Sequence, residues 1–151
     1  MAESSVQTKE QLHRPNPGLQ SLDRLVGRWN VSGPDIQGQV TYEWVEGGFF
    51  LMQRVDLLHD GHKIKGIEMI GYLQAYGEQP GQDIQSRFYS YLDGMTLDYV
   101  YEVEGDTLTI WGGEKGSPSY YRGKFTDGGK RNIGGWVWPG GGYESSMTRV
   151  R

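Results

Sequence analysis

From Trp29 onward the chain alternates apolar and polar positions with a period of two, broken at short intervals by glycine pairs and Asp-Gly steps. Val40, Tyr42 and Trp44 alternate with Thr41 and Glu43, while Met95, Leu97, Tyr99, Tyr101 and Val103 alternate with Thr96, Asp98 and Glu102. That period belongs to strands with one wetted and one covered face, which places Tyr42, Trp44, Tyr99 and Tyr101 inward. The breaks are Gly33-Pro34, Gly47-Gly48, Asp60-Gly61, Pro80-Gly81, Asp93-Gly94, Gly105-Asp106, Gly112-Gly113, Asp127-Gly128-Gly129 and Gly140-Gly141-Gly142. Such steps suit tight hairpin turns, and they delimit strands at about 28–33, 37–46, 49–59, 62–73, 84–92, 95–104, 107–111, 119–126, 132–138 and 143–151.

The connections are too short for parallel crossovers, so the strands form an up-and-down antiparallel meander. A long open meander leaves two pairing edges exposed, and closure removes both. The expected fold is therefore all-β, an antiparallel barrel of about ten strands. About eight strands already enclose room for one small ligand, so an internal cavity is expected. The segment Phe49 to Leu58 reads as apolar on both faces, to be covered by a helix or by a partner chain in a homodimer. The strands around Arg87 and Trp136 do not declare a side.

Upstream the period changes. Leu19, Leu22 and Leu25/Val26 recur at three-to-four spacing behind Asn16-Pro17, a cap followed by proline at the first helical position. A short amphipathic helix at about 17–26 is expected to cap one end of the barrel, with Gly27 ending it in a left-handed conformation. Residues 1–15 read as a polar, flexible N-terminal tail, leaving 16–151 as the barrel domain.

Composition agrees with twisted strands and tight turns: 24 glycines and 13% aromatic residues accompany only 36% hydrophobic residues. A net charge of −4, with no Lys/Arg run longer than two, argues against nucleic acid or an anionic membrane as partner. The absence of cysteine excludes disulfides and thiolate chemistry. The start Met1 to Gln11 has no apolar secretion region, which suggests a cytoplasmic address.

Glu68 lies in alternation with Ile64, Gly66 and Ile70. Facing inward, it would have its pKa raised by desolvation towards general acid or base duty, with Tyr99 or Tyr101 as a second polar group. Facing outward, or paired with an inward Arg122, it would be structural. His59 and His62, with Asp56 nearby, fall at an exposed hairpin tip without a third ligand, so no metal is expected. Trp111, Trp136 and Trp138 could stack a planar ligand or serve as plain core. No Ser-His-Asp order or phosphate-cradling glycine loop occurs in a supporting context.

The stretch Leu22-Asp23-Arg24-Leu25-Val26-Gly27-Arg28-Trp29 resembles the Gly-x-Trp opening of the calycin superfamily, which includes lipocalins, fatty-acid-binding proteins and avidins. Within it the chain is most similar to uncharacterised bacterial lipocalin-like domains that begin Leu-x-x-Leu-x-Gly-x-Trp. The lipocalin resemblance implies that Arg149 crosses the barrel end over Trp29. The fatty-acid-binding pattern, Thr-Arg-x-Tyr, would instead turn Arg149 of Thr148-Arg149-Val150-Arg151 towards a ligand carboxylate, but Arg151 stands where the tyrosine would be. The strand count resembles the nitrobindins. Their iron ligand is a late histidine, whereas the histidines here are His13, His59 and His62, so neither haem nor another cofactor is expected.

These readings converge on a barrel that binds a hydrophobic or planar aromatic small molecule, with Tyr42, Trp44, Glu68, Tyr99, Tyr101, Arg122, Trp136 and Arg149 as candidate ligand-binding residues. The alternative is an isomerase or cyclase of a natural-product intermediate on the same barrel, using Glu68 and an inward tyrosine as acid and base.

Overall fold

A computed structural model describes residues 14–150; the expected tail lies, over residues 1–13, outside the described residues. A 3-10 helix, Pro17–Leu25, leads into β1 (Gly27–Ser32), β2 (Ile36–Trp44), β3 (Phe50–His59), β4 (His62–Tyr72), β5 (Ile84–Ser90), β6 (Thr96–Glu104), β7 (Thr107–Gly112), β8 (Tyr120–Thr126), β9 (Arg131–Trp138) and β10 (Gly141–Val150). Each strand pairs antiparallel with its sequence neighbour, and β1 pairs with β10 from Arg28↔Val150 to Ser32↔Ser146, closing a ten-stranded barrel. The turn spacing thus located every strand, with ends displaced by one or two residues. Among the described residues no helix is long and apolar enough to cross a membrane.

The expected short helix is a 3-10 helix. Its buried residues Leu19, Leu22 and Leu25 are each three apart, the repeat of a 3-10 helix, in which residues i and i+3 eclipse. All three point into the barrel end and are essentially inaccessible. Asn16 caps the helix by accepting from the Gly18 amide at 2.8 Å, and Pro17 opens it as expected. Its C-terminus is set by Val26 in extended geometry, not by Gly27. Gly27 opens β1 with φ +130°, and a Cβ there would lie 2.6 Å from Arg149 Nη1, so the glycine makes room for that guanidinium.

Three exposed-end carbonyls of the helix find donors at this point. Trp29 Nε1 donates to Leu25 O at 2.8 Å, and Arg149 donates through Nη1 to Val26 O at 2.5 Å and through Nη2 to Arg24 O at 2.6 Å. The Arg149 guanidinium also lies 4.2 Å from the centre of the fully buried Trp29 ring. Arg24 extends the clasp by donating to Gly105 O and pairing with Asp106 at 3.0 Å in the β6–β7 turn. One end of the barrel is thus filled solid by the helix, Trp29, Leu51, Ile70 and Leu108.

The helix does not cover β3. Leu51, Gln53, Val55 and Leu57 face inward, and the outer face of that strand presents Phe50, Met52, Arg54, Asp56 and Leu58. The segment therefore alternates like its neighbours and is not apolar on both sides.

Three substitutions at two positions test the clasp. Trp29→Ala should cost about 3–5 kcal/mol in urea denaturation, because the packed end cannot collapse onto the space left. Arg149→Ala should cost about 1–3 kcal/mol by losing two carbonyl partners and a cation–π contact. Arg149→Lys should recover little of that, since an ammonium cannot fork to two carbonyls while lying flat on the indole. Full recovery by lysine would show that charge alone matters there.

Candidate functional site

Above the plug the barrel is hollow. A cavity of about 370 Å³ lies among inward side chains of all ten strands and opens at the end opposite the helix. At roughly 30 Å³ per water it has room for about a dozen waters. Its wall is largely apolar and aromatic, with Trp136 packed between Tyr99 and Tyr121 at centroid distances of 5.9 and 5.7 Å. Trp138 and Tyr143 stand edge to face at 5.9 Å near the mouth, where Trp138 is 43% exposed. His59 stacks on Tyr143 at 4.4 Å.

A polar row crosses this wall. Register places Tyr42 on β2 opposite Gln53 on β3, and Gln53 opposite Glu68 on β4, so three polar side chains enter the interior side by side. Gln53 Nε2 donates to the Tyr42 hydroxyl at 2.9 Å. Tyr101 OH donates to Glu68 Oε1 at 2.8 Å, and Ser86 Oγ donates to Oε2 at 2.5 Å. Two hydroxyls thus converge on one carboxyl, which is 3% exposed.

Burial lifts the Glu68 carboxyl from 4.5 to about 7, against the lowering effect of the Ser86 and Tyr101 hydroxyls. Desolvation likewise raises Tyr42, Tyr99 and Tyr101, with the Glu68 charge adding to each. Desolvation also raises Tyr121, and it raises Tyr143 to about 12. At neutral pH the tyrosines are uncharged while Glu68 is poised between its two forms.

A second polar cluster sits deeper. Tyr121 OH donates to Asn132 Oδ1 at 2.6 Å, and among the described residues Asn132 Nδ2 is a buried side-chain nitrogen left without a partner. A Cβ at Gly123 would fall 2.0 Å from that Oδ1, so only glycine leaves space for this bond.

The structure brings Tyr42, Glu68, Tyr99, Tyr101 and Trp136 together on the cavity wall. Trp44 shares their phase but lies towards the closed end, where its Nε1 donates to Asp23 Oδ1 at 2.8 Å. Arg122 is not inward: it is exposed, stacked over Tyr120 at 4.5 Å, and donates to Thr109 Oγ1. Arg149 belongs to the plug and not to the cavity, as the Trp29 clasp requires. Trp111 shares the outer face with its register partners Val100 and Tyr120, so the stacking surface consists of Trp136 and Trp138 alone. His59 and His62 face each other across the β3–β4 hairpin, and among the described residues no three His, Cys, Asp or Glu side chains gather as a metal site.

Gln53, Ser86, Tyr121 and Tyr143 were absent from the sequence reading. Gln53 had a signal, because it shares the parity of Leu51, Val55 and Leu57. Ser86 had none, since its role depends on a pairing that only the folded register defines.

No family model matches the chain, and no curated protein matches it in sequence. The closed ten-stranded antiparallel barrel is compatible with a calycin-like fold.

The raised carboxyl has a measurable consequence for stability. The folded state holds a proton on Glu68 between pH 4.5 and about 7 that the unfolded state releases, so stability falls as pH rises through that window. Relative to Glu68→Gln, the wild type should lose on the order of 3 kcal/mol between pH 4.5 and pH 8. Urea denaturation of both proteins across that range checks this, and parallel curves would contradict it.

Proposed function

We propose that the protein is a small-molecule binding barrel of the calycin-like kind, taking a hydrophobic or planar aromatic ligand into the internal cavity. One observation carries the reading: a space of about 370 Å³ is enclosed by aromatic side chains and crossed by a short row of polar groups. Sites for small organic ligands combine these features, since apolar walls supply affinity and a few fixed polar groups supply orientation. A barrel needing only to be stable would fill this space, because every void forfeits dispersion contacts. The solid packing at the helix end shows what this chain does where no space is kept.

Acid–base catalysis on a bound intermediate is the second reading, favoured by the Tyr101 to Glu68 bond at 2.8 Å and a carboxyl at about 7, near the optimum for proton transfer at neutral pH. Deuterium incorporation from solvent into a bound ligand, lost in Glu68→Gln, would separate it from binding alone.

The binding reading predicts that the neutral dye N-phenyl-1-naphthylamine binds one-to-one, with a blue-shifted emission and quenching of the tryptophans at the mouth. Arg149→Ala should leave its affinity unchanged at a temperature where the variant is folded. Failure of this dye and of a broad apolar panel to bind would overturn the reading.

A further inference from the structure

The charge inventory of the interior is one-sided. Of the side chains lining the cavity, Glu68 alone carries a formal charge near neutral pH, and among the described residues no Lys, Arg or His lines it. The two arginines that could have met an anion are elsewhere: Arg122 on the outer wall and Arg149 in the plug. A ligand carboxylate or phosphate would enter a low-dielectric space whose one formal charge repels it.

Glu68 itself is only half used. A carboxylate offers about four lone-pair sites. Tyr101 fills one at 2.8 Å and Ser86 another at 2.5 Å, leaving acceptor capacity beside the cavity. Around it stand the rings of Tyr42, Tyr99, Tyr101 and Phe88, with Tyr121, Tyr143, Trp136 and Trp138 towards the mouth. Aromatic faces attract a cation without competing for its protons, and the attraction grows when water is excluded. A buried ion is tolerated when paired and hydrogen-bonded, and these groups supply both conditions for one positive charge.

Resting on the reading of this interior as a ligand site, we propose that the ligand is an organic cation: an apolar or aromatic amine, protonated on nitrogen. Its ammonium donates to the Glu68 carboxylate and its hydrocarbon body lies against the tyrosine and tryptophan wall. Gln53, held by Tyr42 in register with Glu68, offers its amide oxygen as a further acceptor for a second ammonium proton. The substrate class follows from the chemistry of the wall, since a carboxylate without a protein counter-ion selects against anions and leaves neutral analogues one strong contact short.

The pH dependence has a definite sign. The titratable groups that face Glu68 from the other strands are Tyr42, Tyr99, Tyr101, Tyr121 and Tyr143, all raised, so they stay neutral between pH 5 and pH 8.5. Over that range the amine stays protonated while Glu68 ionises, so amine affinity rises with pH. His59 stacks on Tyr143 at 4.4 Å, so the pH series is also run on His59→Gln, in which the rise of amine affinity with pH should persist.

A charge series on one scaffold provides the test: 2-(1-naphthyl)ethylamine, 2-(1-naphthyl)ethanol and 1-naphthylacetate, titrated calorimetrically into the full chain at pH 5 and pH 8.5. The amine should bind on the order of ten- to a hundredfold more tightly than the alcohol at pH 8.5, with the acetate weakest, as expected for a hydrogen bond to a charged group. That advantage should shrink at pH 5, and Glu68→Gln should bring the amine's affinity down to the level of the alcohol's. If the alcohol or acetate binds as tightly as the amine at pH 8.5, the cation assignment is overturned and the ligand site stands. If none of the three binds, the ligand site itself fails. The wild-type series decides the matter even if Glu68→Gln does not fold.

Discussion

The structure depends on how the helix C-terminus is held. The carbonyls of Arg24, Leu25 and Val26 would be left without partners where the chain turns into β1, and they are met by Arg149 and Trp29 from the two strands that form the barrel seam. The same guanidinium covers the Trp29 ring. Helix docking, indole burial and seam closure are therefore one event with shared atoms, so weakening any one of them loosens the others. The consequence for the site is division of labour. Because the plug concentrates stabilising contacts at one end, the other end can remain hollow.

The interior of the hollow end is organised by register. Antiparallel pairing puts Tyr42, Gln53 and Glu68 shoulder to shoulder, and the barrel curvature brings Tyr101 and Ser86 from β6 and β5 onto the same carboxyl. Each group is ordinary alone. Together they make a buried acid whose two oxygens each accept from a hydroxyl, with no cation lining the cavity among the described residues. That combination carries a free-energy penalty whenever the carboxyl ionises.

Much of the fold was legible because turn residues and alternation act locally. Asp-Gly and Gly-Gly steps marked the hairpins, and Tyr99 and Tyr101 declared their side through Thr96, Asp98 and Glu102. The clasp was half legible: Arg149 over Trp29 followed from a family resemblance, whereas its bonds to the helix carbonyls did not, since no local pattern encodes contacts more than a hundred positions apart. Arg122 was misplaced because β8 has alternating polar and small residues, Arg122, Gly123 and Lys124, which give hydrophobicity no purchase on its facing. The helix itself was legible but its type was not, because leucines three apart satisfy both an α-helical and a 3-10 reading until the backbone is seen.

The seam between β1 and β10 also shapes how the chain reaches this state. Nine of the ten strand pairings join neighbours in sequence and can form from short hairpins as each turn is made. The tenth joins β1 to β10, where Trp29 pairs with Arg149, and can form only after the intervening strands have curled into place. Long-range closure of this kind must overcome its loop entropy before any contact rewards it. Seam closure therefore carries the largest loop entropy of the ten pairings, and the Arg149 clasp adds to the contacts that offset it. Until it engages, the two unpaired edges are the part of the molecule most open to pairing with another chain.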